Sequence, residues 1–243
     1  MADPRETAAA FGRDLASVLG DRLKSLLLYG SVPRGEAVPG VSDVNVLVLL
    51  DVVDARALRQ ISPLARRWAQ AGNSVPLVMA WNEWRRAADA FAIEMADMRD
   101  VHEVLHGSDP LAGLEVDRTA LRLQAERELR GKLLQLREGM LLAADEPEQV
   151  GQLLLAALPS FTTYLRAALR LAGRDVPRAT EAVIEEGARL VDGDGDPFLQ
   201  VWRARKQNAK LRVRIDEPLA TGYYALAERT ATFVDSLPEV RSE

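Results

Sequence analysis

Hydrophobic and polar positions change rhythm part-way along the chain. Between Thr7 and Leu23 apolar residues recur at Phe11, Leu15, Val18 and Leu19, the spacing of one helix face, and Gly20 closes the pattern. Ser25–Tyr29 is a short apolar run that stops at Gly30, and Val44–Leu50 is β-branched and apolar at successive positions. Both runs predict strands covered on two faces. The segment between them, Val32–Ser42, holds Pro33, Gly35, Pro39 and Gly40 and predicts a loop. Ala55–Ala71 reads as a helix, Val75–Ala80 as a third strand, Glu83–Ala88 as a short helix and Phe91–Met98 as a fourth strand. Strands alternating with helices imply a sheet flanked by helices.

From Arg118 onward the pattern is helical almost throughout. Leu129, Leu133, Leu136 and Met140 share one face of a long first helix. Val150, Leu154, Ala157, Phe161, Leu165 and Leu169 mark a second, expected to kink or divide at Pro159. Further helices are expected at Arg178–Leu190, Pro197–Lys210 and Pro218–Leu237. The fold class expected is α+β: a mixed sheet with flanking helices over residues 1–115, then an all-α up-and-down helical bundle over 118–243. The Gly-Ser-Asp-Pro punctuation in Gly107–Asp117 places the boundary.

Composition narrows the chemistry. There is no cysteine among the 243 residues, which excludes disulfides, thiolate zinc sites and a cysteine nucleophile. A net charge of −5 excludes a global basic field, although it leaves nucleic acid open as a partner. The apolar runs are far shorter than the roughly 20 residues a membrane span needs, and the N-terminal residues lack signal-peptide order, so a cytoplasmic protein is expected.

The informative stretch is Leu27-Leu28-Tyr29-Gly30-Ser31-Val32-Pro33-Arg34-Gly35, followed by Ser42-Asp43-Val44-Asn45-Val46-Leu47-Val48. Glycine lets a backbone approach a triphosphate closely, and the Ser31 hydroxyl and neighbouring N–H groups suit phosphate oxygens. Residues i and i+2 of a strand share a face, so Asp43 and Asn45 are expected side by side. This pattern resembles the polymerase-β-like nucleotidyltransferases, above all the minimal bacterial and aminoglycoside nucleotidyltransferases. In that family a strand ends in Gly-Ser and a following strand bears Asp-x-Asp.

The resemblance is specific over residues 24–50 and loose to residue 115. It implies a nucleoside triphosphate substrate, ATP first, bound by Gly30, Ser31 and Arg34. It also implies Mg²⁺ held by Asp43, Asn45 and a third carboxylate on a neighbouring strand. Glu94 is the best-placed candidate; Asp97 would fall on the opposite face. Asp43 and Glu94 would then be catalytic, and the helical domain would supply the site for a hydroxyl acceptor whose identity the sequence does not reveal. Asn45 departs from the family pattern. Its amide carries no charge, and Mg²⁺ favours carboxylates, so the metal site is expected to be weakened. That leaves two functions, metal-dependent nucleotide transfer or nucleotide binding by a catalytically impaired relative.

Other motifs compete less well. His102-Glu103-Val104-Leu105-His106 matches the H-E-x-x-H of zinc metalloproteases, which needs a helix to bring both imidazoles to one face. Gly107 would stop that helix at once, and the segment is expected simply as the helix after the fourth strand, with its histidines partly exposed. Asp192-Gly-Asp-Gly-Asp-Pro197 has the alternating acids of a Ca²⁺ loop, but Arg203 stands where an EF-hand has glutamate, so a turn capping the next helix is expected. The cations between Arg203 and Arg214 read as a solvated face with a lesser reading as a phosphate or RNA contact. Glu181, Glu185 and Glu186 could face a cationic acceptor. Trp68, Trp81 and Trp84 read as packing residues, and Tyr223-Tyr224 could line a cleft. The helical half has no histidine, so it cannot act as a HEPN-type ribonuclease, which uses Arg and His.

Overall fold

A computed structural model describes residues 3–38 and 40–238. It divides into two compact units, one of residues up to Ala90 with Glu94–Val116, the other of Phe91–Ile93 with residues from Asp117 on.

The first unit runs α1 (Pro4–Leu19), β1 (Leu23–Tyr29), α2 (Ser31–Arg34), β2 (Asn45–Leu50), α3 (Ala55–Gln70), β3 (Leu77–Ala80), α4 (Trp81–Arg86), α5 (Ala92–Asp100) and β4 (His102–Gly107). Its four-stranded sheet has the order β3-β2-β1-β4. β1 is antiparallel to both β2 and β4, and β2 is parallel to β3, so the sheet is mixed as expected.

Both faces of the sheet are covered, which explains why β1 and β2 are apolar without alternation. Leu26, Leu28, Val46 and Val48 pack with Phe11, Leu15, Ile61 and Trp68 of α1 and α3. Leu27, Leu47 and Leu49 face the other way, toward Met79, Trp84, Met95, Met98 and Leu111. Trp68 and Trp84 are therefore core residues, as their spacing predicts.

Two expectations fail here. Phe91–Met98 is not a strand, because Ala92–Asp100 is helical. Ala, Met and Glu are good helix formers and the segment lacks β-branched alternation apart from Ile93. The fourth strand is instead His102–Gly107, which was expected to be a helix. Its backbone pairs with β1 from Ser25 to Tyr29, and that long-range pairing outweighs local preference.

The second unit contains α6 (Arg118–Ala143), α7 (Pro147–Leu171), α8 (Thr180–Leu190), α9 (Asp196–Lys206) and α10 (Pro218–Ser236). α7 continues through Pro159 as one element, so the expected division there is absent. Phe161, Phe198 and Tyr223 form the aromatic centre of the bundle. Before α9 the Asp194 carboxylate accepts from the Asp196 N–H at 2.9 Å in a polar turn, while the N-cap residue itself is Gly195 and makes no side-chain cap. Among the described residues, no helix is long and apolar enough to cross a membrane.

Candidate functional site

β1 is the middle of the local sheet, and its last residue, Tyr29, lies opposite Asn45 on one side and His102 on the other. The chain then turns at Gly30, where φ is 85° and ψ −140°. That region of conformational space is nearly closed to residues with a Cβ. A Cβ at Gly30 would also lie 3.1 Å from Nδ2 of Asn45, a tight contact that adds to the backbone preference for glycine.

Ser31 opens the short α2, with its backbone carbonyl accepting from the Glu36 N–H at 3.0 Å. Val32 and Pro33 are buried, and Arg5 Nη2 donates to the Val32 carbonyl at 3.1 Å while the same guanidinium meets Glu103 Oε1 at 2.8 Å. Arg34 turns inward. Its Nη2 donates to Asp97 Oδ2 at 2.8 Å, and its side chain is only 5% exposed against 19% for Asp97. The arginine expected to meet a nucleotide is thus seated on a carboxylate of α5, where it ties α2 to that helix.

Asp43 precedes β2 and is exposed. Its Oδ2 accepts from the Ser74 hydroxyl at 3.0 Å, a partner the sequence reading missed because Ser74 lies in the turn before β3. Asn45 opens β2, and its amide Nδ2 donates to the Asp43 backbone carbonyl at 3.4 Å. Glu94 is partly buried on α5, not on a strand. Its charge, after burial, helps to hold the Tyr29 phenol above its usual range, so Glu94 and Tyr29 share one electrostatic neighbourhood. Tyr29 was also missed; its position before the Gly-Ser pair was the available signal. The structure therefore brings Gly30 beside Asn45 and Asn45 beside Asp43, and seats Arg34 on Asp97.

The donor set can be tested against the Mg²⁺ centre that the family pattern implies. Magnesium is held chiefly by carboxylates in near-octahedral geometry. β3, the strand next to β2, presents Leu77, Val78, Met79 and Ala80 and no acid. Glu103 on β4 is committed to Arg5. Among the described residues there is no group of three or more His, Asp or Glu side chains placed to hold a metal ion. Asp43 beside the neutral Asn45 is thus a poor match to paired carboxylates.

The zinc-protease arrangement is also overturned. His102 and His106 lie on β4, not on a helix. The His102 ring is engaged on both sides, with Nδ1 2.8 Å from the Met98 carbonyl and Nε2 3.3 Å from Asp109 Oδ1. In the second unit the expected polar surfaces are largely paired within themselves. Lys206 meets Glu181 at 3.7 Å, Arg212 meets Glu148 at 3.2 Å and Arg214 meets Asp216 at 3.1 Å. Glu185 and Glu186 face Arg189. Tyr223 is fully buried, and Tyr224 accepts from Arg137.

Neither a protein-family model nor a curated protein matches the chain. Among solved structures it is similar to the spectinomycin adenyltransferase AAD(9) from Enterococcus faecialis, solved with ATP and spectinomycin. The TM-score is 0.59 at 10% identity, over 93% of this chain and 98% of that one. The fold is that of a nucleotidyltransferase followed by a helical region, and at this identity the likeness carries the fold alone.

Proposed function

We propose that this chain is a nucleotidyltransferase-fold protein that binds a nucleoside triphosphate, ATP being the first candidate, without efficient metal-dependent transfer. The support for binding is the Gly30 turn beside Asn45, together with the likeness to a fold solved with ATP. In this reading the Gly30 backbone and Ser31 hydroxyl meet phosphate oxygens. Asp43 and Asn45 line the neighbouring strand end.

The observation that carries the loss of transfer is the donor set around Asp43. The amide of Asn45 points its N–H toward a carbonyl, and β3 brings no acid. Phosphoryl-type transfer rests on positioning and on neutralising charge at the phosphates. A single exposed carboxylate does neither well.

The test is transfer of label from α-labelled ATP in the presence of Mg²⁺ or Mn²⁺, for the natural chain and for Asn45→Asp. Label transferred only by the variant supports the reading. Label transferred by the natural chain at a rate equal to the variant contradicts it.

A second reading has one specific observation in its favour: Glu94 is partly buried on α5, the helix whose Asp97 holds Arg34 at the end of the Gly30–Arg34 turn. Here Asp43 and Glu94 suffice, and a hydroxyl oxygen of the acceptor displaces pyrophosphate from the α-phosphorus and gives its proton to Glu94. Loss of all transfer in Glu94→Gln, in a natural chain shown to be active, would favour it. The pairing of Glu181, Glu185 and Glu186 with cations gives no support to a cationic acceptor such as an aminoglycoside.

A further inference from the structure

α6 has an inward and an outward face. Leu121, Ala125, Leu129, Leu136 and Met140 are buried in the second unit. On the opposite side, Leu123, Leu134, Leu141 and Leu142 are 53%, 54%, 78% and 86% exposed. With about 3.6 residues per turn, Leu123, Leu134 and Leu141 fall within roughly 20° of one another, and Leu142 lies on their flank. One exposed leucine needs no explanation, but three on one line with a fourth on its flank, interspersed with charged residues, make an apolar and charged seam along the helix.

Two glycines of α6 sharpen the picture. A Cβ at Gly139 would lie 2.7 Å from Leu153 of α7, so the packing of the chain itself explains that residue. A Cβ at Gly131 would meet nothing within 4 Å. Glycine weakens a helix interior, and nothing within the chain uses the space it leaves. Gly131 lies in the leucine seam, next to Leu134. Arg127 and Glu138 are exposed in the same seam. Their neighbours Arg130 and Arg137 are instead held by Asp235 and Glu228 of α10.

We propose that this seam is the docking surface for a second copy of the chain, α6 against α6 and antiparallel, about a two-fold axis near the middle of the helix. That arrangement sets Leu123 against the partner's Leu141 and the partner's Leu142. It sets Arg127 beside the partner's Glu138, and Leu134 over the partner's Gly131. The two-fold axis repeats each contact, so one complementary charge pair becomes two. A parallel arrangement would set like charge on like charge. It is this self-complementarity that selects a second copy as the occupant. A single helix face is small beside the roughly 1,600 Å² of a standard interface, so the dimer forms in the micromolar range.

The test is sedimentation velocity of the full chain from about 1 to about 100 µM, with circular dichroism to confirm that each variant is folded. The natural chain should dimerise across that range. Arg127→Glu and Glu138→Arg should each raise the dissociation constant about tenfold or more, since two opposite-charge contacts become two like-charge ones. Combining the two substitutions should restore the dimer, and Leu134→Glu should abolish it. A natural chain that stays monomeric overturns the proposal. So does a dimer unmoved by Leu134→Glu, or a double variant that fails to recover what each single change lost.

Discussion

The turn at Gly30–Arg34 and the strand end at Asp43–Asn45 are neighbours, yet different demands account for them. In the turn, each residue has a local reason. Gly30 has a φ of 85° and a Cβ position tight against Asn45, Val32 and Pro33 are buried, and Arg34 is paired with Asp97. At the strand end, Asp43 is exposed with one hydroxyl partner, and Asn45 has an amide where paired carboxylates would serve the chemistry. The turn is what the fold needs, whereas the strand end is what a reaction would need. A fold can be complete while the groups that would do its usual chemistry are not, which is why likeness of fold carries function only as far as the site allows.

That contrast predicts a graded series of effects. The largest is Arg34→Ala, which removes a partly buried ion pair and should cost about 2–4 kcal/mol in urea unfolding followed by tryptophan fluorescence. Three of the four tryptophans, Trp68, Trp81 and Trp84, belong to the first unit and report on it. A loss below about 1 kcal/mol would mean that Arg34 is an ordinary surface ion and is available to a ligand after all. Gly30→Ala should follow at about 1–3 kcal/mol, from backbone strain at positive φ together with the close approach to Asn45. An unchanged midpoint there would show that the turn relaxes freely.

A smaller effect is expected in acid. The Ala57 N–H, and after it Arg22, holds Asp54 below the usual carboxylate range; Arg130 does the same for Asp235, and Arg214 for Asp216. Carboxyls depressed in the folded state take up protons first in the unfolded chain. Their contribution is complete above the unfolded value near pH 4 and is lost as pH falls through the folded values. The urea midpoint should therefore be level from pH 7 to about pH 5 and decline below about pH 4. The smallest effect is Ser74→Ala, expected within about 0.5 kcal/mol because the hydroxyl meets Asp43 only at the surface. A larger loss there would move the strand end into the structural class.

Much of the fold was readable from residue order. β1, β2, α3 and the helical second half follow from apolar spacing, because continuous apolar runs mean covered sheet faces and i, i+3, i+4 spacing means a packed helix. Ala92–Asp100 and His102–Gly107 were interchanged. Both are short; Ala92–Asp100 buries Ala92, Ile93, Met95, Ala96 and Met98 at helical spacing, while His102–Gly107 is only partly buried and is decided by its pairing with β1, a contact between residues far apart in the chain. Of the candidate site, the sequence made legible the nearness of Gly30, Asp43 and Asn45, which are close in the chain. The seating of Arg34 on Asp97 was not legible, because Asp97 is 63 residues further along the chain. Ser74 was invisible for the same reason, since only the fold brings it beside Asp43, whereas Tyr29 was marked by its place before the Gly-Ser pair.

The central claim is nucleotide binding that does not depend on a metal. It is tested most directly by isothermal titration of the natural chain with each of the four nucleoside triphosphates, once with Mg²⁺ and once with a chelator. The account predicts binding of at least one, ATP first, with an affinity that Mg²⁺ alters by less than about tenfold, or about 1.4 kcal/mol. Binding seen only with Mg²⁺ would contradict the absence of a working metal site, and no binding of any triphosphate would contradict the nucleotide reading itself.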